Sequence, residues 1–138
     1  MIIYLLILLL LIYVCRKYYS RSTYIANSPI HNKGLFSNKT FYKNDVILDD
    51  IFPNKPKDKA LYKPITKDEF YNYISLEGTK INHCIKDTNS DVVTDDYKIY
   101  QLVATKDILP NQEIKCDYNK VNKRYPFIAS AGKDFKEC

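Results

Sequence analysis

The run IYQLVATKDILPNQEIKCDYN, residues 99–119, carries more structural information than any other part of this chain. Ile99 to Ala104 has the length and β-branched content of a strand that is at least half buried. Leu109-Pro110-Asn111-Gln112 supplies turn chemistry, because proline presets one backbone angle and asparagine tolerates the left-handed region. A second short strand, Glu113 to Cys116, follows and delivers Asp117-Tyr118-Asn119 to its end. A polar tyrosine placed there is more than folding requires, so chemistry is expected beside it. Working outward, Ile30-His31-Asn32-Lys33-Gly34-Leu35-Phe36 and Ile81-Asn82-His83-Cys84 are the other segments that combine an apolar lead with polar or glycine-bearing features.

In order and spacing these three segments resemble the SET domain of protein lysine methyltransferases. The family reads, loosely, G-x-G-(L/V)-(F/Y), then N-H-S, then G-E-E-L-x-x-D-Y. Lys33-Gly34-Leu35-Phe36 stands for the first, Asn82-His83-Cys84 for the second, and Asn111 to Tyr118 for the third. Ala104-Thr105-Lys106-Asp107-Ile108 falls where the family has a similar A-x-x-D-I. The resemblance covers residues 28 to 120. It implies a mainly β fold of small sheets with short helices, in which the C-terminal segment threads past the N-H segment as a pseudoknot, an exception to the usual rule against threading.

Composition sets the outer bounds. A chain of 138 residues supports one domain. A 14% aromatic share, mostly tyrosine, with little glycine, argues for a packed core over disorder. Cys15, Cys84, Cys116 and Cys138 form no C-x-x-C pair and no Cys/His cluster, so neither a metal site nor a disulfide framework is expected. The resemblance is therefore to the minimal kind of SET domain found in some viruses. Heavy use of Lys, Asn, Ile and Tyr also fits an AT-rich coding genome such as that of a large DNA virus. The net charge of +5 lacks the dense stripe of a nucleic-acid binder, and no nucleic-acid partner is expected.

Met1 to Cys15, MIIYLLILLLLIYVC, is apolar throughout. As a helix it spans about 22 Å at ~1.5 Å per residue, short of a hydrocarbon core of roughly 30 Å. Arg16 and Lys17 can snorkel, and Tyr18 and Tyr19 can sit among headgroups, so residues 1–19 read as a membrane anchor. A cleaved signal peptide fits less well, since no basic residue precedes the run and no small-x-small site follows it. A buried core helix would show a polar face, and this one has none. Arg16, Lys17 and Arg21 place the domain on the cytoplasmic side of a single-pass membrane protein.

Residues 20–29 read as a polar tether, 30–120 as the SET-like domain, and 121–138 as a tail packing on it. Val46-Ile47-Leu48 is expected as a strand after a turn at Lys43-Asn44-Asp45. Residues 53–64, rich in lysine, read as an exposed loop. Thr66-Lys67-Asp68-Glu69 is a capping-box pattern, predicting a helix from Lys67 to about Ser75. Asn32, Asn44 and Asn111 stand where the family tends to have turn glycines, and asparagine is the best substitute where φ is positive.

The resemblance also implies the chemistry: transfer of a methyl group from S-adenosylmethionine to a lysine amine of a protein substrate, histone or other. Lys33, Gly34 and Leu35 would lie against the cofactor, Gly34 allowing close backbone approach. Asn82 and His83 would hold its amino and adenine groups, and Tyr118 would touch the cofactor and act as the catalytic residue. No metal is needed. Cys116 replaces the aromatic that the family has two residues before this tyrosine, and Asn89 sits one residue later than the family's asparagine. Taken singly, Gly34, His83 and Tyr118 have ordinary structural readings as a turn glycine, a core histidine and a strand-end tyrosine. Two rival functions stay open: a catalytically inactive SET-fold binding module at a membrane, and a small viral membrane protein binding anionic lipid or nucleic acid through Lys55, Lys57 and Lys59. A homodimer is also open.

Overall fold

Strand Glu113–Cys116 alternates half-buried and buried residues, with Ile114 and Cys116 inward, and the remaining strands are arranged around it. The structure is a computed structural model; it describes residues 2–19, 21–52, 62–64, 73–94, 99–124 and 138. In chain order the elements are α1 (Ile2–Tyr19), β1 (Thr23–Asn27), β2 (Lys33–Ser37), β3 (Val46–Leu48), β4 (Tyr62–Pro64), β5 (Tyr73–Ser75), β6 (Asn82–His83), β7 (Ser90–Thr94), β8 (Tyr100–Ala104), β9 (Glu113–Cys116) and α2 (Tyr118–Arg124), with a 3-10 turn at Gly78–Lys80. The main sheet runs β1-β2-β9-β7-β8-β3, and β6 also pairs with β9. β4 and β5 form a separate antiparallel pair. The fold is mainly β with few helices, as expected.

β9 is the junction. It runs antiparallel to β2 (Leu35↔Ile114, Phe36↔Glu113), parallel to β6 (Asn82↔Lys115, His83↔Cys116) and parallel to β7 (Ser90↔Cys116). Although β8 and β9 flank one tight turn, they do not pair with each other: β7 lies between them. The turn has the predicted chemistry, with Gln112 N–H donating to Leu109 O at 3.1 Å and Asn111 at φ 66°. Asn32 (φ 40°) and Asn44 (φ 75°) are left-handed as well. All three glycine-replacing asparagines therefore do the conformational work expected of them.

The core gathers inward residues from strands and loops alike: Leu35, Leu102, Ile108 and Ile114 are wholly buried, with Phe41 and Ile51 at 1% exposure. Each such side chain contributes about 1.5–3 kcal/mol by leaving water.

Three expectations need correction. Thr23–Asn27 lies within the stretch read as a tether, yet it pairs along its whole length with β2, from Thr23↔Ser37 to Asn27↔Lys33. Thr23, Tyr24 and Ile25 favour a strand, but the buried position is Thr23 and Ile25 faces out, so no apolar alternation marks it; the pairing is held by the backbone ladder and by Tyr24 stacked on Phe36 at 5.6 Å. The helix expected to reach Ser75 does not do so, because Tyr73–Ser75 is strand β5 paired with Tyr62–Pro64. Residues 65–72, with the capping box, lie outside the described residues. A short Tyr-Ile-Ser run has strand preference, and a partner strand realises it. Finally, Cys84 is disulfide-bonded to Cys138, 54 residues away, a link that spacing could not reveal.

α1 fills the segment read as an anchor. Its described side chains are exposed throughout, for example Ile3 at 70% and Leu10 at 62%. Its 18 residues span about 27 Å at ~1.5 Å each. Among the described residues no helix is long and apolar enough to cross a membrane.

Asn89, which stands out of step with the family spacing, is a strand in miniature. It is 5% exposed, its Nδ2 donates to Glu113 O at 2.8 Å, and its Oδ1 accepts from Lys115 N–H at 2.8 Å. Its backbone N–H also reaches Lys115 O at 3.1 Å. Asn89→Ala leaves two backbone groups of β9 without partners, and is expected to cost about 2–4 kcal/mol in urea unfolding. A loss below about 0.5 kcal/mol would show that water replaces the carboxamide.

Candidate functional site

The three motif segments meet because β9 pairs with the strands that carry the other two. β2 brings Gly34 to one side of β9, and β6 brings Asn82 and His83 to another. The alternation of β9 sends Glu113 to the face opposite Ile114, where it meets Gly34. A Cβ on Gly34 would run into Glu113 Oε1 and lie 3.0 Å from Ser28 Cβ. A side chain at Gly34 would have to displace the Glu113 carboxylate. The Asn82 carboxamide closes the group, with Nδ2 at 2.6 Å from Glu113 Oε1, 3.0 Å from Ser28 Oγ and 3.4 Å from Lys33 O.

Ser28 in turn holds the turn before β2, accepting from Ile30 N–H at 3.0 Å and His31 N–H at 3.4 Å.

His83 and Tyr118 form the second half. His83 Nδ1 accepts the Tyr118 backbone N–H at 3.0 Å, so in the neutral ring the proton sits on Nε2. The two rings are tilted at 43° with centroids 5.5 Å apart. The Tyr118 hydroxyl donates to Ile81 O, the residue just before Asn82. Tyr118 is not the last residue of a strand but the first of α2, which Asp117 caps. Asp117 Oδ1 accepts from Asn119 N–H at 3.0 Å and Lys120 N–H at 3.2 Å. An aspartate before a short polar run is an N-cap signal legible in sequence, but no apolar period follows it, so the helix went unread.

Of the residues named from sequence, Gly34, Asn82, His83 and Tyr118 are brought together. The side chains of the other two point away. Leu35 is wholly buried in the core, and Lys33 Nζ bonds Asn27 Oδ1 at 2.6 Å. Either could meet a ligand only through its backbone. Cys116 also faces the core, at 2% exposure. Glu113 and Ser28 are the residues sequence reasoning missed; the glutamate of the third motif was the available signal.

Burial pushes the Cys116 thiol up to about 12, with the Asp91 and Asp117 carboxylates adding to it. Burial likewise raises the Tyr118 phenol, with Cys116 second. Both groups are therefore neutral at physiological pH. A raised acid contributes stability that is intact below its unfolded value, about 8.5 for a thiol, and is lost as pH climbs toward the folded one. Stability is expected to fall by about 2–3 kcal/mol between pH 8 and pH 10.5 from Cys116 alone. Urea midpoints at the two pH values should show a shallower fall in Cys116→Ala; an equal fall in both proteins would place the titrating group elsewhere.

A cleft of about 920 Å³ opens elsewhere, with Thr23, Ile25, Leu48, Asp49, Glu77 and Asn111 in its lining. None of Gly34, Asn82, His83 or Tyr118 lines it. Its two carboxylates already bond within the protein, Glu77 to Thr23 Oγ1 at 2.8 Å and Asp49 to Gln101 Nε2 at 2.9 Å. Size alone does not make it the reactive site; the convergent polar groups are at β9.

No protein-family model matches this chain, and no curated protein matches it. Among solved structures it is similar to a candidate histone methyltransferase of Plasmodium falciparum, at 20% identity and a TM-score of 0.47, over 71% of this chain and 93% of that one. It is also similar to the methyltransferase domain of human PR domain-containing protein 2, at 11% identity and a TM-score of 0.47, over 70% of this chain and 76% of that one. At such identities and superposition scores neither likeness carries function across.

Proposed function

We propose that this protein is a SET-type, S-adenosylmethionine-dependent protein-lysine N-methyltransferase. One observation carries the reading: the motif segments converge on β9, where Asn82 bonds Glu113 beside Gly34 and the adjacent His83 bonds Tyr118. The residues present fit the cofactor, since Asn82 presents a fixed amide beside the backbone of residues 33–35. When bound, S-adenosylmethionine supplies an electrophilic methyl on its sulfonium. Asn82 and His83 would hold its amino and adenine groups, and the backbone of 33–35 would lie along it.

The chain's own contribution is positional, because in-line displacement is fast only when the groups are collinear and close. Tyr118 is the catalytic residue of this reading. Its one O–H is committed to Ile81 O, which leaves the oxygen lone pairs to accept weak C–H contacts from a methyl group and orient it. The raised phenol pKa keeps that oxygen neutral. A substrate lysine must arrive uncharged, and an apolar approach beside a positive charge favours this.

We further propose that α1 together with its tyrosine and basic flank serves as the membrane anchor, the flank extending at the headgroups a helix too short by itself, since an apolar helix exposed on every described face calls for lipid or protein around it. Arg16, Lys17 and Arg21 favour a cytoplasmic domain. A viral source, a histone or other protein substrate and a homodimer belong to the same reading. The test is titration calorimetry of the full chain in detergent with S-adenosylmethionine, followed by a radiolabelled-methyl assay over lysine-bearing proteins. Binding and lysine labelling are expected. Binding without labelling of any substrate favours the catalytically inactive SET-fold module, and no binding ends the cofactor assignment.

A further inference from the structure

The orientation of the Asn82 amide is forced. Its Nδ2 faces Glu113 Oε1 at 2.6 Å, Ser28 Oγ at 3.0 Å and Lys33 O at 3.4 Å. A carboxylate and a backbone carbonyl can only accept, so turning the amide over would set oxygen against oxygen. Both N–H groups are consumed inside the protein. Oδ1 is engaged by no hydrogen bond among the described residues, and it is the end of this 8%-exposed side chain left to meet a bound group.

The shortest of the three contacts is to Glu113. It is paired opposite Phe36 on β2, and its carboxylate occupies the space that a side chain on Gly34 would take.

We infer that Glu113 is a positioning residue: it locks the Asn82 amide with Oδ1 outward, so that the site selects a ligand presenting an N–H donor there, an amine or ammonium, over one presenting an acceptor. This rests on the proposed methyltransferase reading, in which the ligand brings an amino-acid ammonium. Ser28 could not impose the choice, because a hydroxyl can donate to an amide oxygen as readily as it accepts from an amide nitrogen, and Lys33 O, at 3.4 Å, is the longest of the three contacts. The carboxylate has no such freedom.

The test compares two nucleosides by titration calorimetry on the full chain in detergent. S-adenosylhomocysteine carries the ammonium; 5′-methylthioadenosine shares the adenosine and thioether but lacks the amino-acid end. In the wild type, S-adenosylhomocysteine should bind the tighter of the two. Glu113→Ala should weaken S-adenosylhomocysteine by about 10–100-fold, the span expected for a charged hydrogen bond, and leave 5′-methylthioadenosine within about twofold. Glu113→Gln, whose amide oxygen can still accept from Asn82, should keep most of the affinity. If Glu113→Ala does not fold, Asn82→Ala should show the same ligand-selective loss.

Equal weakening of both nucleosides, or no weakening in a folded variant, overturns the role of Glu113 while the methyltransferase reading stands. A wild type that binds neither nucleoside overturns both.

Discussion

Tyr118→Phe is expected to lower methyl transfer by at least about a hundredfold, equivalent to roughly 2.7 kcal/mol of transition-state stabilisation, while affinity for S-adenosylmethionine changes only a few-fold. The substitution removes one oxygen and nothing else. The ring keeps its place beside His83, at 5.5 Å between centroids, and the backbone N–H that His83 accepts is untouched. What is lost is the hydroxyl held by Ile81 O, the group that the proposed reading asks to orient a methyl. Some stability goes with it, because Ile81 O loses its donor, and about 1–2 kcal/mol is the expected cost. The rate should therefore be read as a single turnover at saturating cofactor, at a temperature where the variant remains folded. A folded Tyr118→Phe protein within threefold of the wild-type rate would remove Tyr118 from the chemistry.

Cys138→Ser is expected to destabilise the protein by about 4 kcal/mol, the chain-entropy value for a loop of 54 residues. That loop holds β7, β8, β9 and α2, so the link constrains the unfolded state of most of the site's supports. Cys84 sits directly after His83, is wholly buried, and donates its N–H to Cys116 O at 3.1 Å. Breaking the link therefore frees a tail from the strand that carries Asn82 and His83. Urea unfolding of oxidised wild type, reduced wild type and Cys138→Ser should give one stable protein and two weaker, matching ones. A loss below about 1 kcal/mol would mean that the loop is already ordered without the bond.

The same pair tests the proposed cytoplasmic placement of the domain. Glutathione keeps such thiols reduced in the cytosol, whereas a disulfide persists in oxidising compartments. Mass-shift alkylation of protein taken from cells separates the two. The charge flank of α1 and the disulfide point to opposite sides, and this measurement decides between them.

Much of the candidate site could be read from residue order. Tyr118 is a polar residue at the end of an apolar strand, while Gly34, Asn82 and His83 become candidates through the resemblance of the three ordered segments to a family pattern. Val46–Leu48 and Glu113–Cys116 are strands over the predicted residues, because a short apolar run in the first and a polar–apolar alternation in the second, each following turn residues, leave few alternatives. Asn32, Asn44 and Asn111 could be assigned positive φ for a similarly local reason: few side chains tolerate it.

Other features are not local. Thr23–Asn27 has no apolar alternation to announce it and becomes a strand only because β2 lies alongside. Tyr73–Ser75 follows a helix signal and still pairs with Tyr62–Pro64. The Cys84–Cys138 link joins residues that no spacing rule connects. Glu113 gained a role only once the register set Gly34 beside it and Asn82 against its carboxylate.

The amino-acid order by itself determined strands such as Val46–Leu48 and Glu113–Cys116, the left-handed turns, an apolar N-terminal helix and the polar residues available for chemistry, since each depends on neighbours within a few positions. Tertiary structure alone decided that β9 takes three strand partners, that Leu35 and Cys116 turn into the core, and that Asn82 offers its oxygen. Those outcomes depend on pairing between segments dozens of residues apart, which the chain encodes only through the packing of the whole.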